Sequence, residues 1–217
     1  MCVPCKRMAQ EIFPQKKVGE FYNSNFINIS LDADNAENKA LVDKFVITSY
    51  PAFVFLDARG EIVHRGMDGM TAEEFISLGE TAIDTSHNFK STSQRVKNGD
   101  RTPKTLSNYF NFIPYSDEKE KLSIEYLNTL SDSEKLTNTA WMFLKDYVRD
   151  IKSASVVFFA KNIKKYIHLF GEKKVEEKMV NLFQNSYNDN KIYFHSFQKH
   201  NPIFYDKIEL LLKNANQ

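Results

Sequence analysis

The chain begins with the cysteine pair Cys2-Val3-Pro4-Cys5, and these two cysteines are the only ones in the sequence. The two sulfurs can close a small ring when Cys2 caps a helix and Cys5 lies in its first turn. Pro4 suits that turn, because its fixed φ is helical and its missing backbone N–H is not needed there. The positive end of the helix dipole and the cationic Lys6 are expected to stabilise a thiolate on Cys2 and to lower its pKa. The spacing therefore predicts a redox-active dithiol at the start of a helix.

Three other interpretations of the cysteine pair stay open. A structural zinc site needs four ligands, and the sequence has no second C-x-x-C or H-x-x-x-H pair. A structural disulfide across two residues stabilises little, because short loops constrain the unfolded chain least. Two inert thiols would be small buried hydrophobic residues. The redox dithiol is favoured over these three, and the sequence predicts neither a metal site nor a cofactor.

The composition indicates a chain that can build a substantial core. Its 217 residues are enough for one or two domains. Phenylalanine is abundant (18) and glycine is scarce (7), which favours helices over loops and sheets. The formal net charge of +1 favours neither nucleic acid nor a membrane surface as a partner. No apolar run is long enough to span a bilayer, and no signal peptide precedes the dithiol.

The first 85 residues are predicted to alternate helices and strands. The apolar periodicity, turn residues and capping signals give this order: helix 3–13, helix 15–23, strand 26–31, helix 37–45, strand 52–56, hairpin turn 57–60, strand 61–65 and helix 71–83. Tyr50-Pro51 stands in the turn just before the strand 52–56. This pattern predicts an α/β domain with its dithiol in the first helix.

These residues and this order resemble the thioredoxin superfamily, in particular its thiol:disulfide interchange-type domains. The resemblance covers about 85 residues and rests on the dithiol with Lys6, Phe13-Pro14 before Val18, the stretch 26–34, Tyr50-Pro51 before 53–57, and Gly60 in the hairpin. It implies a cis Tyr50–Pro51 peptide bond that faces the dithiol. It also implies that the backbone at Tyr50 and Pro51 binds an incoming substrate strand.

Two departures from the family pattern concern the start of the sequence. Met1 stands where the family usually has a tryptophan, and no residues precede it to form the central strand that normally leads into the dithiol. We therefore expect a thioredoxin-like domain whose first central strand is missing, so that the strands 26–31 and 52–56 either pair with each other or leave open sheet edges that invite association. We also expect the native start to lie upstream, in an exported protein of the periplasm or cell envelope.

The composition shifts near residues 84–88, which predicts a domain boundary between residues 85 and 86. Beyond it, helical patterns recur at 89–98, 103–113, 117–130, 133–149, 153–169, 172–187, 189–199 and 202–214. Short helices joined by short turns predict an all-α domain of residues 86–217, TPR-like in architecture but without the repeat consensus. Its aromatic residues are predicted to form the core rather than a peptide-binding groove, and the basic stretches 161–165 and 172–174 to form solvated helix faces.

The favoured function is thiol–disulfide oxidoreductase. Cys2 as thiolate would attack a substrate disulfide, and Cys5 would resolve the resulting mixed disulfide. The predicted partners are protein thiols and disulfides and an upstream redox partner, without nucleic acid. Two alternatives stay open: a non-catalytic scaffold whose helical domain binds the partner, and a redox sensor whose disulfide alters helical packing.

Overall fold

A computed structural model of the chain describes residues 2–113, 116–184 and 187–215. The chain forms two compact units. Among the described residues, the first unit contains 2–100 and 104–113. The second unit contains 101–103 and the described residues from 116 onward. The predicted boundary between residues 85 and 86 lies inside the first unit and stays a prediction about the domains, since a compact unit and a sequence domain need not coincide.

The cysteine pair opens a helix, as the sequence predicts. Helix α1 (Val3–Arg7) continues directly into one π-helical turn, Met8–Ile12, in which the Phe13 amide donates to the Met8 carbonyl at 2.9 Å. Helix α2 (Lys16–Asn25) follows after Pro14. The spacing of apolar residues along these helices turns one face of each inward. The buried side chains on these faces are Met8, Ile12, Val18 and Tyr22.

A β-hairpin forms the only sheet among the described residues. After a short 3-10 turn (Ala36–Asn38) and helix α3 (Lys39–Lys44), strand β1 (Ala52–Leu56) pairs antiparallel with β2 (Ile62–Met67). The turn closes through a 2.8 Å hydrogen bond from the Gly60 amide to the Asp57 carbonyl. Gly60 has a φ of 74°, which a residue without Cβ adopts at little cost. The predicted hairpin is therefore confirmed.

The strand predicted over residues 26–31 is wrong. The Phe26 ring packs against Phe55 with 5.1 Å between centroids, but the segment pairs with neither strand of the sheet. Ile27, Ile29 and Leu31 are 94%, 77% and 54% exposed. An alternating pattern gives a strand only when a neighbouring strand supplies hydrogen bonds, and the described sheet ends at β1 and β2.

Helix α4 (Ala72–Ile83) closes the core of the first unit. Thr71 and Glu74 form the predicted capping box at its start. The ring of Phe75 stacks on that of Tyr22 at 4.2 Å, and the Tyr22 hydroxyl donates to the Phe75 carbonyl at 2.6 Å. Burial raises the pKa of Tyr22 far above its ordinary value. Gly79 lets the two helices approach, since a Cβ there would lie 2.5 Å from the Phe21 ring.

Two more helices, α5 (Phe89–Lys97) and α6 (Pro103–Phe112), follow α4. Helix α5 packs on β2, where the Phe89 amide donates to Nδ1 of His64 at 3.2 Å. The His64 side chain is fully buried, with its ring 4.7 Å from that of Phe112. Burial lowers its pKa to about 4, so His64 is a neutral core residue at pH 7.

Every regular element in the described residues of the second unit is a helix, as the sequence predicts, but Thr137 (φ −81°, ψ 157°) divides the single helix predicted over residues 133–149. Its helices are α7 (Asp117–Asn128), α8 (Asn138–Tyr147), α9 (Ala154–Lys161), α10 (Ile163–Phe170), α11 (Glu172–Phe183), α12 (Tyr187–Gln198) and α13 (Pro202–Ala215), with a 3-10 turn at Glu134–Leu136. Neighbouring helices pack on one another along the chain, as α7 does on α8 and α10 on α11.

The single helix predicted over residues 153–169 is wrong, because Asn162 divides it into α9 and α10. Asn162 has φ −107° and ψ 22°, outside the helical region, and its side-chain amide donates to the Phe158 carbonyl at 3.0 Å. A short polar side chain that bonds the preceding turn competes with the backbone for its own hydrogen bonds. Ser153 caps α9, because its hydroxyl oxygen accepts a hydrogen bond from the Val156 amide at 3.3 Å.

The aromatic residues of the second unit lie in its core. Trp141 stacks on Phe170 at 5.1 Å and lies 5.6 Å from the ring of Tyr166. Of the aromatic side chains singled out in the sequence, four are buried and three are half-buried: Trp141, Phe143, Phe159 and Tyr166, then Tyr147, Phe158 and Phe170.

One lysine is buried in the second unit. The ammonium group of Lys178 in α11 donates to the carbonyls of Val148 and Lys145, the latter at 3.2 Å. It therefore satisfies carbonyls at the C-terminal end of α8, which is the negative end of the helix dipole. Burial lowers the pKa of Lys178 to about 7, although Glu120 and Asp146 partly oppose this effect.

Candidate functional site: the dithiol and the loops around it

The two cysteines are joined in a disulfide at the N-terminus of α1. Cys2 is the N-cap residue, and the Cys5 amide points to its sulfur at 3.2 Å. The two Cα atoms lie 5.3 Å apart. Both cysteines are half-buried, whereas Val3 and Pro4 between them are exposed. A small molecule or a peptide can therefore approach the pair from the side of Val3 and Pro4.

The turn after strand β2 lies against the dithiol turn. A Cβ built on Gly69 would lie 3.1 Å from Cβ of Pro4, which is a very close approach. The preceding residue, Asp68, has a φ of 73°, a conformation that residues with side chains seldom adopt. Together, Asp68 and Gly69 bring the backbone of the turn into contact with Pro4, one of the two residues between the cysteines.

The same turn connects the dithiol with the Tyr50–Pro51 peptide bond, which is cis. The Asp68 amide donates to the Pro51 carbonyl at 3.0 Å, so the cis peptide adjoins the turn that contacts Pro4. Tyr50 is 43% exposed and Pro51 is half-buried. Three segments distant in sequence, 2–5, 50–51 and 68–70, thus meet in one region of the first unit.

Two methionine sulfurs contact the segments of this region. The Met70 amide donates to the sulfur of the buried Met8 at 3.3 Å, which holds the turn on the helix that carries the dithiol. The Ser49 hydroxyl lies 3.7 Å from the sulfur of Met67 at the end of β2. Unbranched, polarisable thioethers fill irregular gaps well, which suits a place where three loops converge.

The charges next to the dithiol are positive. Lys6 and Arg7 lie in the last turn of α1, and both are exposed. Arg7 forms an ion pair with Glu11 at 3.8 Å, whereas Lys6 makes no ion pair within the described part of the chain. The charge of Lys6 is therefore not offset by a paired carboxylate among the described residues.

Sequence reasoning singled out the dithiol, Lys6 and Tyr50-Pro51, and it missed the turn Asp68-Gly69-Met70. The available signal was a glycine two residues after the end of a strand, which is typical of a turn or a close backbone approach. Its relation to Pro4 could not be read from the pattern, because 65 positions separate Pro4 from Gly69.

The residues that the structure describes contain no group of three or more histidine, cysteine or acidic side chains that could hold a metal ion. The two cysteine sulfurs are bonded to each other and have no thiolate to offer as a ligand. Within the same residues, no helix is both long enough and apolar enough to cross a membrane.

Residues 1–83 match the family model described as a thioredoxin-like domain. The match spans the dithiol helix, the hairpin and α4, and it ends with the last residue of α4. No curated protein and no solved structure matches the chain in the corresponding comparisons.

Proposed function

We propose that the thioredoxin-like domain formed by residues 1–83 is a thiol–disulfide oxidoreductase that exchanges the Cys2–Cys5 pair with disulfides of other proteins. The observation that carries the proposal is the position of the half-buried pair: it opens a helix of this domain, and its turn lies against the turn 68–70, whose Asp68 amide binds the carbonyl of the cis residue Pro51. The helical residues from 86 onward would position substrates or partners.

The helix start supports Cys2 as the attacking residue. Cys2 is the N-cap of α1, so its sulfur lies at the positive end of the helix, within 3.2 Å of the Cys5 amide nitrogen. A backbone N–H and the helix dipole stabilise a thiolate in this place, and the positive charge of Lys6 adds to their effect. Cys5 lies within the helix and would act as the resolving thiol.

The first step of the proposed reaction starts from the reduced pair. The Cys2 thiolate attacks one sulfur of a substrate disulfide, and a new S–S bond forms as the substrate bond breaks. The electron pair of the broken bond leaves on the other substrate sulfur, which takes up a proton as a thiol. The product of this step is a mixed disulfide between Cys2 and the substrate.

The second step releases the substrate. Cys5 loses its proton and attacks the Cys2 sulfur, the mixed disulfide breaks, and the second substrate sulfur leaves as a thiol. Two electrons have then passed from the cysteine pair to the substrate disulfide. A dithiol partner must supply two electrons to return Cys2 and Cys5 to the reduced state, and the same steps in reverse describe oxidation of a substrate.

Tyr50 and Pro51 are proposed to bind the substrate backbone next to the cysteines. The exposure of Tyr50 and the hydrogen bond that holds the Pro51 carbonyl on the turn 68–70 support this assignment. An extended peptide laid along this segment would bring its disulfide toward Cys2.

The first test is the reduction potential of the Cys2–Cys5 pair in the full chain, measured by equilibration against glutathione buffers. Catalysts of disulfide exchange lie between about −120 and −270 mV, and structural disulfides lie below about −300 mV. A value in the first range supports the proposal and gives the preferred direction of electron flow. A value in the second range contradicts it and leaves the domain as a non-catalytic scaffold.

The second test traps the mixed disulfide. Cys5→Ser should accumulate a covalent adduct with a disulfide-containing protein such as insulin, whereas Cys2→Ser should form far less, because Cys2 is the attacking residue. Lys39→Ala, at an exposed residue of α3, serves as a control and should react like the natural chain. Equal trapping by both serine variants would contradict the assigned roles.

A further inference from the structure

The second unit carries a concentrated positive charge on and around α10. Residues 161–174 contain five lysines and one histidine but a single acidic residue, Glu172. Glu172 forms an ion pair with Lys207 of α13 at 3.2 Å, so its charge offsets a lysine outside residues 161–174. The formal net charge of the whole chain is only +1, which makes this local excess distinctive.

The basic side chains nearest to the middle of α10 have no acidic partner. Lys164, Lys165 and His168 are exposed, and none of them makes an ion pair within the described part of the chain. A solvated helix face with neighbouring acidic groups is the expectation from the sequence, because Glu176 and Glu177 follow closely. In the structure, however, Glu176 pairs with Lys207 instead.

These three side chains surround an apolar depression. Together with Leu136 and Leu169 they line a surface concavity of about 340 Å³. Leu169 is 50% exposed and therefore open to contact with a partner. The depression is lined almost entirely by carbon atoms, from the two leucines and the apolar parts of the three basic side chains, whose polar atoms contribute little to its surface.

The depression belongs to a well-supported part of the unit. On its opposite face α10 buries Ile163 and Tyr166, and the Tyr166 hydroxyl donates to the Lys135 carbonyl at 2.9 Å. This bond ties α10 to the segment that supplies Leu136. Because both walls are held by core contacts, the surface is formed before any ligand arrives.

We propose that this depression, defined by Leu136, Lys164, Lys165, His168 and Leu169, binds an acidic protein segment that inserts one apolar side chain between flanking Asp or Glu residues. Charge complementarity selects the partner, since the unpaired ammonium groups of Lys164 and Lys165 attract carboxylates and disfavour basic sequences. The two leucines bury the inserted side chain. The proposal concerns the second unit alone and does not depend on the chemistry of the dithiol.

The small size of the depression favours a peptide over an anionic membrane. A membrane-binding surface presents apolar side chains that protrude into the acyl region. Here two leucines line a shallow, open depression beside basic side chains. One apolar side chain of a peptide fills such a depression.

The test measures binding of the full chain to fluorescent ten-residue peptides by anisotropy. Each peptide carries one central Leu, Phe or Trp flanked by Asp and Glu, and matched peptides carry Gln and Asn in place of the acids. We expect the acidic set to bind at least about tenfold more tightly than the neutral set, and to weaken as salt is raised. No binding by any acidic peptide at 0.05 M salt would overturn the proposal.

One charge-reversal variant and one apolar-to-polar variant locate the site. Lys164→Glu with Lys165→Glu should weaken binding on the order of tenfold or more, and Leu169→Ser should weaken it without changing the net charge. Lys173→Glu with Lys174→Glu is the matched control, with the same charge change at exposed residues outside the depression, and should change affinity less than about twofold.

Three results would contradict the assignment. Equal weakening by both lysine pairs would indicate non-specific attraction. An unchanged affinity of Leu169→Ser would show that the peptide makes no apolar contact with Leu169. Stronger binding to vesicles of phosphatidylserine than to every acidic peptide would replace the peptide with a membrane surface. Far-ultraviolet circular dichroism of each variant establishes that the helices are intact.

Discussion

Gly69 and Pro4 approach each other so closely that a Cβ added to Gly69 would lie 3.1 Å from Cβ of Pro4. This contact joins the turn after β2 to Pro4, one of the two residues between the cysteines. Pro4 is rigid and sits in the first turn of α1, so it can move only with the dithiol turn itself. The environment of the disulfide therefore depends on the absence of a side chain at position 69.

Gly69→Ala should alter dithiol exchange more than it alters stability. The added methyl group has to displace the dithiol turn by a few tenths of an ångström, whereas Gly69 itself is exposed and loses no core contact. We expect the rate of exchange with a small disulfide to change by about threefold or more, with the free energy of unfolding changed by about 1 kcal/mol or less. Stopped-flow exchange and urea denaturation measure the two quantities. Unchanged exchange kinetics would show that the turn does not influence the cysteines.

Gly79→Ala should destabilise the first unit, even though alanine is the better helix former. A Cβ at this position would meet the Phe21 ring at 2.5 Å and the Tyr22 hydroxyl at 3.1 Å, so α2 and α4 must separate. We expect a loss of about 1–3 kcal/mol in the free energy of unfolding, measured with urea. Gly19→Ala is the control: its Cβ would have only a 3.9 Å contact with Asn23, and it should stabilise by about 0.5–1 kcal/mol. Equal effects of the two substitutions would contradict the close packing.

Acid should weaken the first unit through His64. Its pKa is about 4 in the folded chain and 6.5 as an ordinary value, so the unfolded state binds more protons between these values. Stability is therefore lost as the pH falls from 6.5 toward 4, by up to about 3 kcal/mol. His64→Leu should lack this component, and the difference between the two chains in urea denaturation at pH 7 and pH 4.5 isolates it from the carboxyl groups. Equal pH dependence of both chains would contradict a buried neutral histidine.

Alkaline pH should strengthen the second unit through Lys178. Its pKa is about 7 in the folded chain and 10.5 as an ordinary value, so the unfolded state again holds more protons between these values. The free energy of unfolding should rise by about 2 kcal/mol between pH 7 and pH 9. Lys178→Met removes the titrating group and should show a flatter profile in urea denaturation, with the disulfide kept oxidised in both chains. A steep rise in the variant would assign the effect to another group.

The sequence was most informative where local chemistry decides the structure. The capping box of Thr71 and Glu74 and the hairpin turn at Gly60 depend on residues a few positions apart, and both were predicted correctly. The helical character of the second unit followed from its apolar periodicity. The thioredoxin-like assignment of the N-terminal domain is confirmed for residues 1–83 by the family match.

The errors arose where the outcome depends on distant residues or on competition within one turn. The stretch 26–31 alternates like a strand, but pairing needs a neighbour that no local pattern supplies. Asn162 breaks a helix because its side chain bonds the Phe158 carbonyl, which propensity alone does not reveal. The contact of Gly69 with Pro4 is likewise a product of the tertiary fold.

The hydrogen bond from the Met70 amide to the Met8 sulfur has a kinetic consequence, because its partners are 62 positions apart. Closing so long a loop costs conformational entropy, which is recovered only when the intervening helices and hairpin have packed. The two cysteines can meet in a nascent or unfolded chain, but the surroundings described here come into being only with the whole first unit. A disulfide that forms early therefore shows only that the two cysteines lie close together in sequence. Its reactivity should change as the rest of the first unit folds around it.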